Sequence, residues 1–206
     1  MKFLPLIWSN LKRKKLRTLL TLLSILVAFL LFGYLSAITK AFDQGVSVAG
    51  ADRLVARHKV TFTQLLPVSY KDRIARIPGV DEVSHLTWFG GIYQEAKNFF
   101  AQFPVEPANW LSLYPEFIVS EEAKKAWLAT RTGAIVGRKT ADKFGWKVGD
   151  KIPIQATIWQ KADGSKSWEF DLVGIYDGKE KGTDTTQLVF RYDYFDEARA
   201  FGLHSA

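Results

Sequence analysis

This 206-residue chain contains no cysteine. Disulfides are therefore excluded, as are thiolate metal ligands and thiol nucleophiles, while the compartment is left open. Histidine is scarce too. His58, His85 and His204 lie far apart, in no metal-like spacing and in no nucleophile–base arrangement. A Walker A sequence is missing. The glycine-rich spots, Gly90-Gly91 and Gly133 to Gly137, lack the Lys-Ser/Thr that a phosphate-binding loop needs. Asp163, Asp171 and Asp177 sit near turns, and turn chemistry explains them better than a catalytic pair does. Nothing marks an active site, so the chain reads as a non-enzyme with no catalytic or metal residue and no cofactor of its own.

Charge is absent from one long stretch. Thr18 to Thr39 (TLLTLLSILVAFLLFGYLSAIT) runs without a charged residue. A helix of that length reaches roughly 33 Å at about 1.5 Å per residue, enough to cross a hydrocarbon core of about 30 Å. Acidic residues are absent before it. Lys2, Lys12, Arg13, Lys14, Lys15 and Arg17 put six of the 28 Lys and Arg into the first 17 residues, which leaves 22 basic against 21 acidic residues in the remainder. The net charge of +7 is thus a basic flank to a membrane span, not a nucleic-acid-binding domain, and the positive-inside rule places that flank in the cytoplasm. Two other readings stay open. A buried core helix is usually shorter and amphipathic. A cleaved signal peptide fits the basic start and the Thr39-Lys40-Ala41 site, but its apolar core is usually only about 7–15 residues.

Three regions follow. Residues 1–16 are an interfacial amphipathic helix: Leu4, Ile7, Trp8 and Leu11 share one face, Pro5 sits in the first turn, and Trp8, Lys12, Arg13, Lys14, Lys15 and Arg17 lie at the membrane interface. Residues 17–40 are the transmembrane helix, on which Thr21, Ser24 and Ala28 recur at helical spacing as candidates for packing on other helices. Residues 41–206 form an extracytoplasmic domain. It begins with a small-residue linker over 41–50. A strand is predicted over Asp52–Val60, and a helix over Tyr70–Ile77 capped by Ser69 with Ile74 and Ile77 buried. The Pro78-Gly79 turn follows, then a long strand over Val80–Gln94 broken at Gly90-Gly91, giving a βαβ-like unit. Aromatics crowd the next section: Phe99, Phe100, Phe103, Trp110, Tyr114, Phe117 and Trp127. With Pro104, Pro107 and Pro115 it cannot be one regular element. It reads as an inserted lobe within 95–131, with a helix over Glu121–Ala129 capped by Ser120. Its aromatics serve either as lobe core or as partner contacts, the candidates being Phe99, Phe100, Phe103 and Trp110. A strand at Gly133–Gly137, a helix over Lys139–Phe144 stopped by Gly145, a hairpin around Asp163-Gly164, a mobile loop over Asp177–Thr186, a strand at Leu188–Phe190 and a helix over Tyr194–Phe201 complete the reading. The fold class is α+β: one transmembrane helix, then a two-lobed mixed α/β domain.

The run Asn10 to Ile25, with its Asn-Leu, basic cluster and Arg17-Thr18-Leu19-Leu20-Thr21, resembles the start of MacB/FtsX-type ABC transporter permeases. Ile77-Pro78-Gly79-Val80 with Val83 is similar to the turn closing the first helix of their extracytoplasmic core. Gly133-Ala134-Ile135-Val136-Gly137-Arg138 with Ala141, Val148-Gly149-Asp150, and Phe170-Asp171-Leu172-Val173-Gly174-Ile175 resemble its second half, in the family's order. The resemblance implies a permease of four membrane helices in the bacterial inner (plasma) membrane, with a periplasmic domain between the first and second. It implies a homodimer or related heterodimer, working with a separate ATP-binding ABC subunit that carries the ATP. The periplasmic domain would move to export or extract substrate, with membrane lipids and a periplasmic adaptor as further partners. The later helices and the coupling segment are not in this sequence, nor are the last strand and helix expected after Tyr194, so an N-terminal part of a longer permease is expected. The alternatives are a single-pass anchored periplasmic binding or adaptor protein and a secreted enzyme released by signal cleavage.

Overall fold

The computed structural model describes residues 13–48, 53–61 and 64–206. They belong to two compact units, Met1–Leu54 and Val55–Ala206.

The first unit holds helix α1, Lys15–Val48, 34 residues long. Its stretch Lys15–Ile38 is long and apolar enough to cross a membrane and buries none of its side chains. Leu19, Phe29, Leu30 and Phe32 are all more than 60% exposed. Of the interfacial helix expected over residues 1–16, residues 1–12 lie outside the described residues, while Lys15 and Leu16 belong to α1. The expected linker at 41 is helical as far as Val48. Residues 41–48 contain no proline and one glycine, and extending a helix already under way is far cheaper than starting one.

The second unit is built on strands β1 (Gly91–Ile92), β2 (Gln102–Val105), β3 (Phe117–Ile118), β4 (Gly133–Gly137), β5 (Lys151–Ala156), β6 (Ser167–Gly178) and β7 (Leu188–Arg191). The helices are α2 (Tyr70–Ala75), α3 (Trp110–Leu113), α4 (Glu121–Ala129), α5 (Arg138–Phe144) and α6 (Tyr192–Ala198). The strand order is β1-β5-β6-β4-β7-β2, with β3 added to the end of β6. β4 runs parallel to β6, and β2 parallel to β7; the other pairs are antiparallel. The path then closes on itself. Leu86 bridges Val105, the Thr87 N–H donates to Pro104 O at 3.1 Å, and the Phe89 N–H donates to Gln102 O at 3.1 Å. The same extended run goes on as β1 and pairs with β5. The extended run 86–92 thus joins the two ends of the sheet; of the long strand expected over Val80–Gln94 with its Gly90-Gly91 break, only the Leu86 bridge and β1 form, and residues 80–85 are not a strand.

The break is where the strand changes partner. Gly90 takes φ +66°, and a Cβ on Gly91 would overlap the Ile154 side chain. Where the strand leaves β2, the buried Gln102 side chain substitutes for the ladder. Its Oε1 accepts from the Gly91 N–H at 2.6 Å and its Nε2 donates to Gly91 O at 3.1 Å.

Period-2 alternation sends side chains to two cores. Phe89, Ala134, Val136, Ile152, Ile154, Trp168, Phe170, Leu172, Leu188 and Phe190 fill the first, together with Ala141 of α5 and Phe195 of α6. Ile135 and Val189 turn the other way and meet Val105, Trp110, Phe117, Ala123 and Trp127. A register shift at Ala134/Ile135 lets Tyr176 of β6 join this second core. The 95–131 segment, expected as an inserted lobe, supplies most of it, while its strands β2 and β3 are hydrogen-bonded into the rest of the unit. Ser120 caps α4 by accepting from the Ala123 N–H at 3.2 Å, and Gly145 ends α5 in the left-handed region, as the sequence indicates.

Other expectations differ from the structure. Residues 53–60 form no strand: Leu54 and Val60 are 95% and 84% exposed, and without a neighbouring strand their alternation has nothing to bury against. The βαβ-like unit therefore does not form there; the parallel crossovers are β4 to β6 and β2 to β7. Helix α2 is two residues shorter than expected, buries no residue, and is not capped by the Ser69 side chain, because Ser69 is itself in a helical conformation. Of the loop expected over Asp177–Thr186, Asp177 and Gly178 belong to β6, Thr183 and Thr185 are buried, and Thr140 Oγ1 donates to Thr186 O at 2.8 Å. The last helix starts at Tyr192 and ends at Ala198.

Candidate functional site

Two features on the second unit have the character of sites. The first is an exposed aromatic cluster. On strand 86–92, Phe89 points into the core, so Leu86 and Trp88 point out. Trp88 is 43% exposed and lies 5.5 Å from Phe103 and 6.0 Å from Phe99, ring to ring, and Phe99 is 56% exposed. The Trp88 indole lies over Gly90, where the Ile158 side chain also reaches. Of the four aromatics proposed as partner contacts, Phe99 is therefore at the surface and Phe103 is half-buried. Phe100 is buried against Phe144 and Trp146 at 5.6 and 5.7 Å, and Trp110 is buried in a stack with Tyr114 at 4.1 Å. Trp88 was missed. The signal was its place next to Phe89 in an alternating strand: one of the two had to face outward.

The second feature is a polar cluster beneath the paired segments 66–68 and 204–206. Leu66 and Ala206 exchange backbone hydrogen bonds at 2.7 and 2.8 Å, and the Val68 N–H donates to His204 O at 2.9 Å. Residues 66–68 and 204–206 thus form an antiparallel ribbon, bridged at Pro67 and Ser205. Positive φ at Gly202 and His204 turns the chain back onto it after α6. Beneath lies Arg199, 1% exposed. It pairs with Asp196, donates to Ser205 O at 2.9 Å and sits over the Phe195, Trp159 and Tyr192 rings at 4.5, 5.2 and 5.6 Å. Burial pulls the Asp196 carboxyl up, but Arg199, the His204 N–H and the Tyr192 hydroxyl outweigh it and hold it below the ordinary carboxylate range. Next to Tyr192 stands His85, edge to ring at 4.4 Å. Burial lowers the His85 pKa, Lys71 adds to that, and Glu106 and Asp196 oppose it.

Among the described residues no group of three His, Asp or Glu could hold a metal ion. A shallow groove along Ile92, Gln94, Pro153, Gln155 and Ser167 has no titratable side chain in its lining. Of the residues expected at the membrane interface, Arg13 and Lys14 precede α1, Lys15 and Arg17 lie in its first turn, and all four are exposed, while Trp8 and Lys12 fall outside the described residues. Thr21, Ser24 and Ala28 are exposed on α1, and the Thr21 hydroxyl donates to Arg17 O at 2.9 Å.

The chain matches no protein-family model and no curated protein. It is similar to domains of permeases. A domain of a permease protein from Porphyromonas gingivalis aligns at 16% identity and TM-score 0.42, over 66% of this chain and 62% of that one. The extracellular domain of the noncanonic ABC-type transporter YknZ from Gram-positive bacteria aligns at 12% identity and TM-score 0.41, over 66% and 70%. The periplasmic region of MacB from Actinobacillus actinomycetemcomitans aligns at 7% identity and TM-score 0.40, over 65% and 61%. The chain thus spans less than two thirds of the length of the first and third.

Proposed function

We propose that this chain is the N-terminal part of a permease subunit of an ABC transporter. In this reading α1 is the first membrane helix, its basic end is cytoplasmic, and the barrel-like unit stands in the periplasm of a bacterial inner membrane. A partner ATP-binding subunit hydrolyses ATP, and the motion transmitted through the membrane shifts the periplasmic unit to export or extract substrate. A second permease copy, membrane lipids and a periplasmic adaptor are the other partners.

The observation that carries the reading is α1, whose stretch Lys15–Ile38 is long and apolar enough to cross a membrane and is followed in the chain by a separate folded unit. The charge-free span supplies the first helix, and each basic residue flanking it contributes about 1 kcal/mol of attraction to an anionic leaflet. The test is genetic and biochemical. The gene read past Ala206 should encode three further apolar segments, and a neighbouring gene a Walker A protein that co-purifies with the full product. A stop at Ala206 with no such neighbour overturns the reading. A second reading, a single-pass anchored periplasmic binding or adaptor protein, is favoured by the exposed Trp88–Phe99 cluster. A folded, monomeric 41–206 fragment that binds a lipid-like ligand would select it.

A further inference from the structure

His85 and Glu106 face each other across the ladder that closes the sheet. The register that pairs Leu86 with Val105 sets His85 opposite Glu106, and the Glu106 N–H donates to His85 O at 3.4 Å. Their side chains are not yet joined. His85 Nδ1 is 3.7 Å from Glu106 Oε2, and neither His85 ring nitrogen nor Glu106 Oε2 has a hydrogen-bond partner. The His85 side chain is 15% exposed and that of Glu106 21% exposed. Glu106 instead spends its other oxygen on Lys71 of α2. That bond matters to α2, which buries no side chain and lacks a side-chain cap. On its other side His85 meets α6. Tyr192 packs its ring against the imidazole, and its hydroxyl is 2.9 Å from Ser205 O and 3.1 Å from Asp196 Oδ1. The groups facing His85 are therefore Glu106 after β2, Lys71 on α2, and Tyr192 and Asp196 on α6.

We propose that His85, Glu106 and Lys71 form a proton-operated latch beside the ribbon of residues 66–68 and 204–206. With His85 neutral, Glu106 holds Lys71 and α2 is fixed beside the ribbon. A proton taken from solvent onto His85 creates the missing cation. Glu106 then divides its charge between the imidazolium on Oε2 and Lys71 on Oε1, its hold on Lys71 weakens, and α2 with residues 66–68 loosens from the barrel. No covalent bond changes; one carboxylate is shared between two cations where it had served one. The latch depends on the geometry of this unit alone, whatever the transport role.

The sign follows from linkage. Burial makes the folded state bind the His85 proton more weakly than the unfolded chain does. The unfolded state then carries more protons below about pH 6.5, so stability rises with pH through that window and is lost as pH falls toward the folded value. The test uses the full chain in lipid nanodiscs, followed by hydrogen exchange at pH 7.5, 6.5 and 5.5 with rates corrected for intrinsic pH dependence. Protection of 66–77 should fall about tenfold on acidification while β4 and β6 keep theirs. His85→Gln should abolish the fall, and His204→Gln should leave it in place. The His85 ring titration, read by NMR, should move to higher pH in Lys71→Met and to lower pH in Glu106→Gln. No fall in the native chain, an equal fall in His85→Gln, or shifts of the same sign in the last two variants would overturn the latch. Should His85→Gln not fold, the native chain still decides: the midpoint of lost protection must coincide with the His85 titration, and a mismatch rejects the proposal.

Discussion

Large apolar side chains make up most of α1 and most of the first core, yet they meet opposite surroundings. Phe29 and Phe32 on α1 are 71% and 70% exposed, whereas Phe89, Phe170 and Phe190 are fully buried. Composition cannot tell these apart. What differs is spacing: α1 is apolar on every side over its span, whereas the barrel strands alternate and so have an inside and an outside. A segment with no polar face must be solvated by something other than water. A segment with one apolar face can find its partner within the same unit.

The sharpest way to break that comparison is to delete one buried ring. Phe89 contacts four others, Phe190 at 5.2 Å, Trp168 at 5.5 Å, and Phe170 and Phe195 at 6.0 Å. Phe89→Ala should destabilise the second unit by about 3–5 kcal/mol, measured by denaturant unfolding. A loss below about 1 kcal/mol would mean the sheet does not close around this ring. The converse change belongs in α1. Leu26→Arg near the centre of the span should cost about 2.5–3.5 kcal/mol of membrane insertion. It should deplete the chain from the membrane fraction and leave the unfolding curve of the second unit unchanged. Normal insertion of this variant would argue that α1 is solvated by protein, not lipid.

A smaller effect probes how the sheet closes. Gln102→Leu keeps the bulk near the core but leaves the Gly91 N–H and C=O without their partners. Each buried unpaired group costs about 1–3 kcal/mol, so about 2 kcal/mol of lost stability and faster hydrogen exchange at Gly91 are expected. Unchanged exchange there would show that solvent, not Gln102, satisfies this stretch.

Much of the second half was readable because the local signals agreed with one another. Gly133–Gly137, the Gly145 stop, the Asp163-Gly164 turn and the Ser120 cap are each set by residues within a few positions. The first part was harder, because its structure depends on distant partners. Asp52–Val60 alternates like a strand but finds none to pair with. Ser69 has the right chemistry for a cap but the wrong backbone. The latch at His85 was invisible, since Lys71, Glu106, Tyr192 and Asp196 are brought together only when the sheet closes. For the same reason the aromatics of 95–131 could be seen as a set but not sorted into surface and core.

Phe99 and Phe100 allow that sorting to be tested within one dipeptide. Phe100 is 6% exposed and lies in the first core, while Phe99 is 56% exposed and touches Trp88. Phe100→Ala should cost about 3 kcal/mol or more, by the same cavity argument as Phe89. Phe99→Ala should change stability by only about 0.5 kcal/mol, as expected at a surface position. Its effect should appear instead in binding. If the Trp88–Phe99 cluster is a partner contact, Phe99→Ala and Trp88→Ala should each weaken cross-linking of the full native protein to its periplasmic partner without shifting the midpoint of unfolding by more than a few degrees. If cross-linking is unchanged in both, the two rings serve only to cover Gly90 and the strand change there, and the outward half of the alternation carries no recognition.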